Sequence, residues 1–250
     1  MRHSLALRLG IISVLICCAW PIPARAHGGT TDTQEEAADS MVAEPAQTRA
    51  AQAAMTPAEA LQRLKDGNKR FLAGKALERD LRQQVLETAT GQYPFAAVLG
   101  CMDSRVPQEA VFDQGVGRLF SVRIAGNFAD PEILGSLEFA AYVAGAKLIL
   151  VLGHTECGAI KGACDDVELG NLTATLSHLR PAVAAVTDVP GARNSKNKAF
   201  VDAVTRANVK LTLEDIRKRS PILDGMVGRG ELALVGGIYD VKTGAVTFLE

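Results

Sequence analysis

The sequence KLILVLGHTECG, residues 147–158, decides the fold of this chain. Residues 148–152 are all apolar, and such a run without polar alternation is typical of a strand buried on both faces of a parallel sheet. His154 and Cys157 follow this run directly. Because the carboxyl ends of parallel strands share one edge of a sheet, where ligand sites gather, the same stretch also predicts where the chemistry lies.

Further apolar runs and helical patterns surround this stretch. Strands are predicted at 95–100 and 119–124, and two runs at 231–239 and 245–249 flank a Gly-containing loop, which is a hairpin pattern. Helices are predicted from Pro57 to Gly74 behind a Thr56–Glu59 capping box, and at 80–90, 131–144, 171–187 and 196–219. This alternation predicts a single α/β domain: a central, mainly parallel β-sheet flanked by helices, with an N-terminal helical arm and a C-terminal β-hairpin.

Composition excludes several classes of protein. The chain has 250 residues, of which 48% are hydrophobic and 22% are charged, and its formal net charge is −1. The apolar content is too high for a fully disordered protein, and the charge gives no global basic field for nucleic acid. Beyond the N-terminus no apolar run reaches the roughly 18 residues of a spanning helix, so we expect no stable membrane insertion of the mature chain.

The N-terminal region has the pattern of an export signal. Arg2 and Arg8 make a basic start, residues 9–20 are apolar, and residues 24–26 read Ala-Arg-Ala, a cleavage signal. We therefore predict a signal peptide at 1–26 and a periplasmic or secreted mature chain. Residues 27–54 are acidic and lack core-forming periodicity, which predicts a disordered tether before a domain at 55–250.

A second polar segment follows another predicted strand. Cys101 begins it, directly after residues 95–100, and in a parallel sheet it would meet His154 and Cys157. Two thiolates and one imidazole give three protein ligands for zinc and leave a fourth position open, the pattern of a catalytic site. The alternatives are a small buried Cys, a merely hydrogen-bonded His, and a Cys101–Cys157 disulfide, which an oxidising compartment favours.

Asp103 and Arg105 favour the functional interpretation. Two residues apart, they can project to one side of an extended segment and form a charge-assisted pair. A carboxylate beside zinc can orient a zinc-bound hydroxide, or it can bind the metal itself and exclude water. Arg105 would hold Asp103 in the first role. The alternative is a surface ion pair of little energetic consequence.

Taken together, residues 101–105 (CMDSR) and 153–159 (GHTECGA) resemble the motifs of the beta-class carbonic anhydrases. Residues 113–117, 122–127 and 135–140 support this resemblance, which covers about Met55 to Glu250. It implies an α/β zinc enzyme with one zinc per chain that interconverts carbon dioxide and bicarbonate through a zinc-bound hydroxide. It also implies a homodimer, or a dimer of dimers, built partly by exchange of N-terminal helices, a role that Leu61, Leu64 and Phe71 would fit.

The resemblance also assigns individual residues. Cys101, His154 and Cys157 match the zinc ligands, and Asp103 and Arg105 match the catalytic pair. The positions matching the substrate pocket are an amide donor at Gln92, wall aromatics at Phe120 and Phe139, and a backbone N–H at Gly158. Two alternatives use the same ligands: a relative acting on carbonyl sulfide or carbon disulfide, and a non-catalytic zinc or bicarbonate binder. Cys164 has no assigned role.

Overall fold

A five-stranded sheet forms the centre of the computed structural model, which describes residues 43–249. Its strands are β1 (Ala96–Gly100), β2 (Leu119–Arg123), β3 (Leu148–His154), β4 (Ala233–Tyr239) and β5 (Val246–Leu249). They lie in the order β2-β1-β3-β4-β5, and every neighbouring pair is parallel except β4 and β5. The mainly parallel sheet and the C-terminal hairpin predicted from the sequence are confirmed.

Helices cover both faces of this sheet. Those in the described part of the chain are α1 (Arg49–Ala54), α2 (Pro57–Ala73), α3 (Leu81–Thr88), α4 (Gln108–Val111), α5 (Pro131–Glu138), α6 (Gly158–Cys164), α7 (Gly170–Ser177), α8 (Arg180–Ala185), α9 (Lys198–Arg219) and α10 (Pro221–Gly228). A π-helix, Phe139–Val143, continues α5. The single helix predicted at 171–187 is wrong, because α7 ends at Ser177 and Pro181, which has no N–H to donate, lies in the first turn of α8.

The two inner strands bury both of their faces. In β1, Ala97 and Leu99 face a core that includes Val209 of α9, whereas Ala96 and Val98 face a core that includes Leu64 of α2. β3 alternates in the same way, and all of its residues are buried. The continuous apolar run at 148–152 follows from this arrangement, since neither side of the strand meets water.

Helix α2 packs on the sheet of its own chain. It begins at the predicted capping box of Thr56 and Glu59 and ends at Gly74, which has a left-handed φ of 64°. Leu64 is fully buried in the core. Buried Asn68 donates to the carbonyls of Val111 (3.1 Å) and Gly244 (3.0 Å) and accepts from the Val246 N–H (2.9 Å). The chain's own sheet therefore covers Leu64, whereas Leu72 at the end of the apolar stripe is 48% exposed.

The prediction of a disordered tether as far as residue 54 is wrong over 43–54. Glu44 forms ion pairs with Arg79 at 2.7 Å and Arg118 at 3.0 Å. Gln52 is buried within α1, and its Nε2 donates to the carbonyls of Pro94 and Ala144, each at 2.7 Å. Polar contacts of single residues hold this segment, so hydrophobic periodicity did not reveal it.

The predicted signal peptide at 1–26 and the first part of the predicted tether lie outside the described residues. Within 43–249, no helix has the length and apolar character needed to cross a lipid bilayer.

Candidate metal centre

The carboxyl ends of β1 and β3 bring the predicted ligands together. Gly100 closes β1 and pairs with Leu152 of β3, so Cys101 and His154 emerge at one edge of the sheet. Gly153 allows this, because a Cβ there would lie 2.8 Å from Val209 and 3.0 Å from Ile238. Glu156 then adopts a left-handed φ of 58° and turns the chain back, which places Cys157 at the start of α6.

The ligand atoms of Cys101, His154 and Cys157 form a buried cluster. All lie within 4.8 Å of one another, and the three residues are 5%, 0% and 1% exposed. The two sulfurs are 4.0 Å apart, whereas a disulfide needs about 2.05 Å, and both cysteines are free thiols. The structure thus assembles the three predicted ligands without the alternative disulfide.

The imidazole of His154 is oriented for metal binding. Its Nδ1 lies 2.9 Å from the carbonyl oxygen of Thr155, so Nδ1 carries the proton and Nε2 presents a lone pair. Thr155 is itself fixed, because its N–H donates to the Tyr239 carbonyl and its hydroxyl accepts from the Val241 N–H. Among the described residues, the buried Nε2 has no hydrogen-bond partner. A metal ion is the partner that this lone pair and the two sulfurs fit.

The electrostatics of the two thiols agree with that interpretation. The close contact between them lowers the pKa of Cys101 and raises that of Cys157, since a negative charge on one sulfur opposes a second charge on the other. A divalent cation would let both become thiolates. Two thiolates and an imidazole are typical ligands of zinc, and three protein ligands leave a coordination position open.

Asp103 lies at the edge of this cluster and is held by Arg105. Arg105 donates to Asp103 from its backbone N–H (3.0 Å), its Nε (2.9 Å) and its Nη2 (2.7 Å). These bonds hold the pKa of the Asp103 carboxyl well below its usual range, so it is ionised at neutral pH. Its Oδ2 is 3.8 Å from His154 Nε2. The paired residues predicted from the sequence thus place a fixed acceptor beside the ligand atoms.

Two positive residues of this region were not given a role by the sequence analysis. Arg123, at the end of β2, donates to the carbonyls of Cys101 at 3.1 Å and Asp103 at 2.6 Å. Lys161 of α6 pairs with Glu156, and this contact lowers the pKa of the Glu156 carboxyl. Arg123 lies in the motif at 122–127, but it binds backbone carbonyls. Every residue has one, so residue types alone could not predict these bonds.

The residues predicted to form the substrate pocket are not all at the cluster. Gly158 follows Cys157 and has open space where a Cβ would lie. Gln92 precedes β1 and so lies at the amino end of this strand, whereas Cys101 follows its carboxyl end. Phe120 and Phe139 contact each other edge to face, with ring centroids 6.1 Å apart. They line a surface groove of about 540 Å³ that none of the three ligand residues lines.

Comparisons with known proteins agree on one family. The family model described as carbonic anhydrase matches residues 96–246. Carbonic anhydrase 2 of Mycobacterium tuberculosis is 37% identical over 194 residues, covering 75% of this chain and 90% of that protein. Among solved structures, a Coccomyxa beta-carbonic anhydrase in complex with acetazolamide has a TM-score of 0.59 at 26% identity, covering 76% of this chain and 86% of the other. A beta-carbonic anhydrase of Aspergillus fumigatus has a TM-score of 0.58 at 28% identity, covering 74% and 88%.

Proposed function

This chain belongs to the beta class of the carbonic anhydrase family, and from that membership we propose how its residues carry out the reversible hydration of carbon dioxide to bicarbonate and a proton. The observation that carries the mechanism is the buried cluster of Cys101, His154 and Cys157, whose Nε2 lone pair has no other partner among the described residues. Beside it stands a carboxylate that Arg105 keeps ionised and in place.

Cys101, His154 and Cys157 would hold one zinc ion per chain. Zinc bound there supplies a Lewis acid, which lowers the pKa of a coordinated water to about 7 and so makes a nucleophile available at neutral pH. The protein's part is to keep both sulfurs and Nε2 converging on one point. The Thr155 carbonyl fixes the ring of His154, and Arg123 fixes the backbone on both sides of Met102.

Asp103 orients the attacking oxygen. An ionised carboxylate only accepts hydrogen bonds, so it accepts one from the O–H of the attacking oxygen. This leaves a lone pair of that oxygen facing the carbon of the substrate. As the reverse reaction uses the same geometry, Asp103 also accepts from the hydroxyl of bicarbonate. Arg105 acts by holding this carboxylate, and its Nη2 also donates to the Glu156 carbonyl at 3.2 Å.

We further propose that the substrate pocket is completed by a second copy of the chain. The π-helix leaves Phe139, Tyr142 and Val143 exposed at 49%, 67% and 68%, an apolar surface that association would cover. Gln92 cannot reach the cluster of its own chain, because the length of β1 separates them. A partner would supply Gln92, Phe120 and Phe139 to the neighbouring site. In sedimentation experiments we expect the wild type to be a dimer or a dimer of dimers and Tyr142→Glu to be a monomer. An unchanged oligomer in Tyr142→Glu would contradict this assembly.

We propose, finally, that the mature enzyme acts in the periplasm or outside the cell, as the sequence of residues 1–26 suggests. N-terminal sequencing of the protein from its native host should find a start at His27. A chain that begins at Met1 in the cytoplasmic fraction would contradict export.

The function is tested by combining zinc content with stopped-flow hydration of carbon dioxide. We expect one zinc per chain and rapid hydration, and we expect Cys157→Ser to lose both together. Cys164→Ser is the matched control, because Cys164 is also a buried thiol of the α6 region but is not in the cluster. A zinc-loaded wild type without hydration activity would contradict the enzyme function.

A further inference from the structure

A tight turn after β2 contacts one of the ligand sulfurs. Ile124 extends the ladder by donating to the Gly100 carbonyl at 3.1 Å, and Asn127 donates back to the Ile124 carbonyl at 3.0 Å. Between them, Gly126 has a φ of +84°. Its backbone N–H donates to Cys101 Sγ, at an N–S distance of 3.4 Å. The turn thus supplies a hydrogen-bond donor to a ligand that comes from a different strand.

This turn is held by a helix far away in the sequence. Asn208 of α9 is only 3% exposed, and its Nδ2 donates to the Gly126 carbonyl at 2.8 Å across a separation of 82 residues. Glycine has no Cβ to confine its backbone, so the direction in which the Gly126 N–H points depends on the residues around it. The side chain of Leu179 occupies the space beside Gly126, within 2.7 Å of where a Cβ would lie. Asn208 is the polar part of this restraint.

We propose that Asn208 is a positioning residue for the metal centre: by anchoring Gly126, it keeps an N–H donor on the sulfur of Cys101 and sets how tightly that sulfur holds zinc. Hydrogen bonds to a ligating atom fix its direction and tune its electron donation, and removing such an outer contact costs on the order of 10–100-fold in metal affinity. Asn208 touches neither substrate nor metal. This role rests on the proposed zinc enzyme and adds a residue to it.

The test uses two substitutions of Asn208. Asn208→Leu keeps the branched shape and the number of side-chain heavy atoms and removes the donor, whereas Asn208→Ala removes both volume and donor. Thr205→Val is the matched control, since Thr205 is buried in the same helix and its hydroxyl donates only to the Val201 carbonyl of α9. We expect both Asn208 variants to bind zinc more weakly than wild type in chelator competition, by up to about 10-fold because Asn208 acts through Gly126 and not on the sulfur itself, and Thr205→Val to stay within about twofold.

A second readout separates positioning from general stability. In the cobalt-substituted proteins, the thiolate-to-cobalt absorption band should shift in both Asn208 variants and stay unchanged in Thr205→Val. Wild-type affinity and an unshifted band in the Asn208 variants would overturn the proposal. A loss confined to Asn208→Ala would also overturn it, because packing alone would then explain the effect. A wild-type chain that binds no zinc would instead contradict the proposed function.

Discussion

Replacing Arg105 with Ala should release the Asp103 carboxylate and slow carbon dioxide hydration. The substitution removes the two hydrogen bonds that the Arg105 side chain donates to Asp103, from Nε at 2.9 Å and Nη2 at 2.7 Å. Such charge-assisted bonds are each worth about 1.5–3 kcal/mol when buried. Because the Arg105 side chain is 49% exposed, solvent screening reduces their combined effect to roughly 1–2 kcal/mol. At about 1.4 kcal/mol for each factor of ten, kcat/KM should fall roughly 5- to 30-fold.

Zinc content should not change in Arg105→Ala, since Arg123 still holds the carbonyls of Cys101 and Asp103. Arg105→Lys keeps the charge but lacks the planar fork, and we expect an intermediate rate. Arg180→Ala is a matched control, because the Arg180 side chain is also 49% exposed and pairs with an Asp. Stopped-flow hydration and metal analysis of the three variants measure these effects. A zinc-loaded Arg105→Ala enzyme with the wild-type kcat/KM would refute the role given to the pair.

Three further outcomes are expected. Mass spectrometry of the zinc-loaded protein should find no Cys101–Cys157 disulfide, whereas chelation followed by mild oxidation should form it, because the sulfurs are only 4.0 Å apart; a disulfide in active, loaded protein would contradict the site. Burial raises the pKa of Cys164 from 9.0 to about 11, so the free energy of unfolding should fall by up to roughly 2–3 kcal/mol as pH rises through that interval. This loss of stability should be missing from the alkaline denaturation curve of Cys164→Ala. Asn68→Ala should lower the free energy of unfolding in urea by about 2–4 kcal/mol because it leaves buried backbone groups unpaired, and a change below 1 kcal/mol would contradict that reason.

The sequence was informative where one physical signal dominates. The apolar run at 148–152 has no polar alternation because both faces of β3 are covered, and so its place inside the sheet could be predicted. The capping residues Thr56 and Glu59 marked the start of α2 for a similar reason, since each satisfies a backbone N–H of the first turn. Parallel strands then required Cys101 and His154 to meet at one edge.

Features that depend on contacts between distant residues could not be predicted in this way. Gln52 is polar and lies in a stretch without hydrophobic periodicity, yet it is buried because two loop carbonyls need a donor. Arg123 and Asn208 likewise bind backbone carbonyls, which every residue possesses. Gln92 shows another limit, because matching a motif along the chain does not reveal whether a residue serves its own subunit or a neighbour.

The contacts of Gln52 also determine where this enzyme can be divided in gene fusions. Its amide joins the loops that lead into β1 and β3, the two strands whose other ends deliver Cys101 and His154. A recombinant domain cut at Met55 would retain every ligand and every strand of the sheet, but it would release the entry points of both ligand-bearing strands. The transferable unit therefore includes Gln52, and the ion pairs of Glu44 with Arg79 and Arg118 extend it to Ala43 or further upstream.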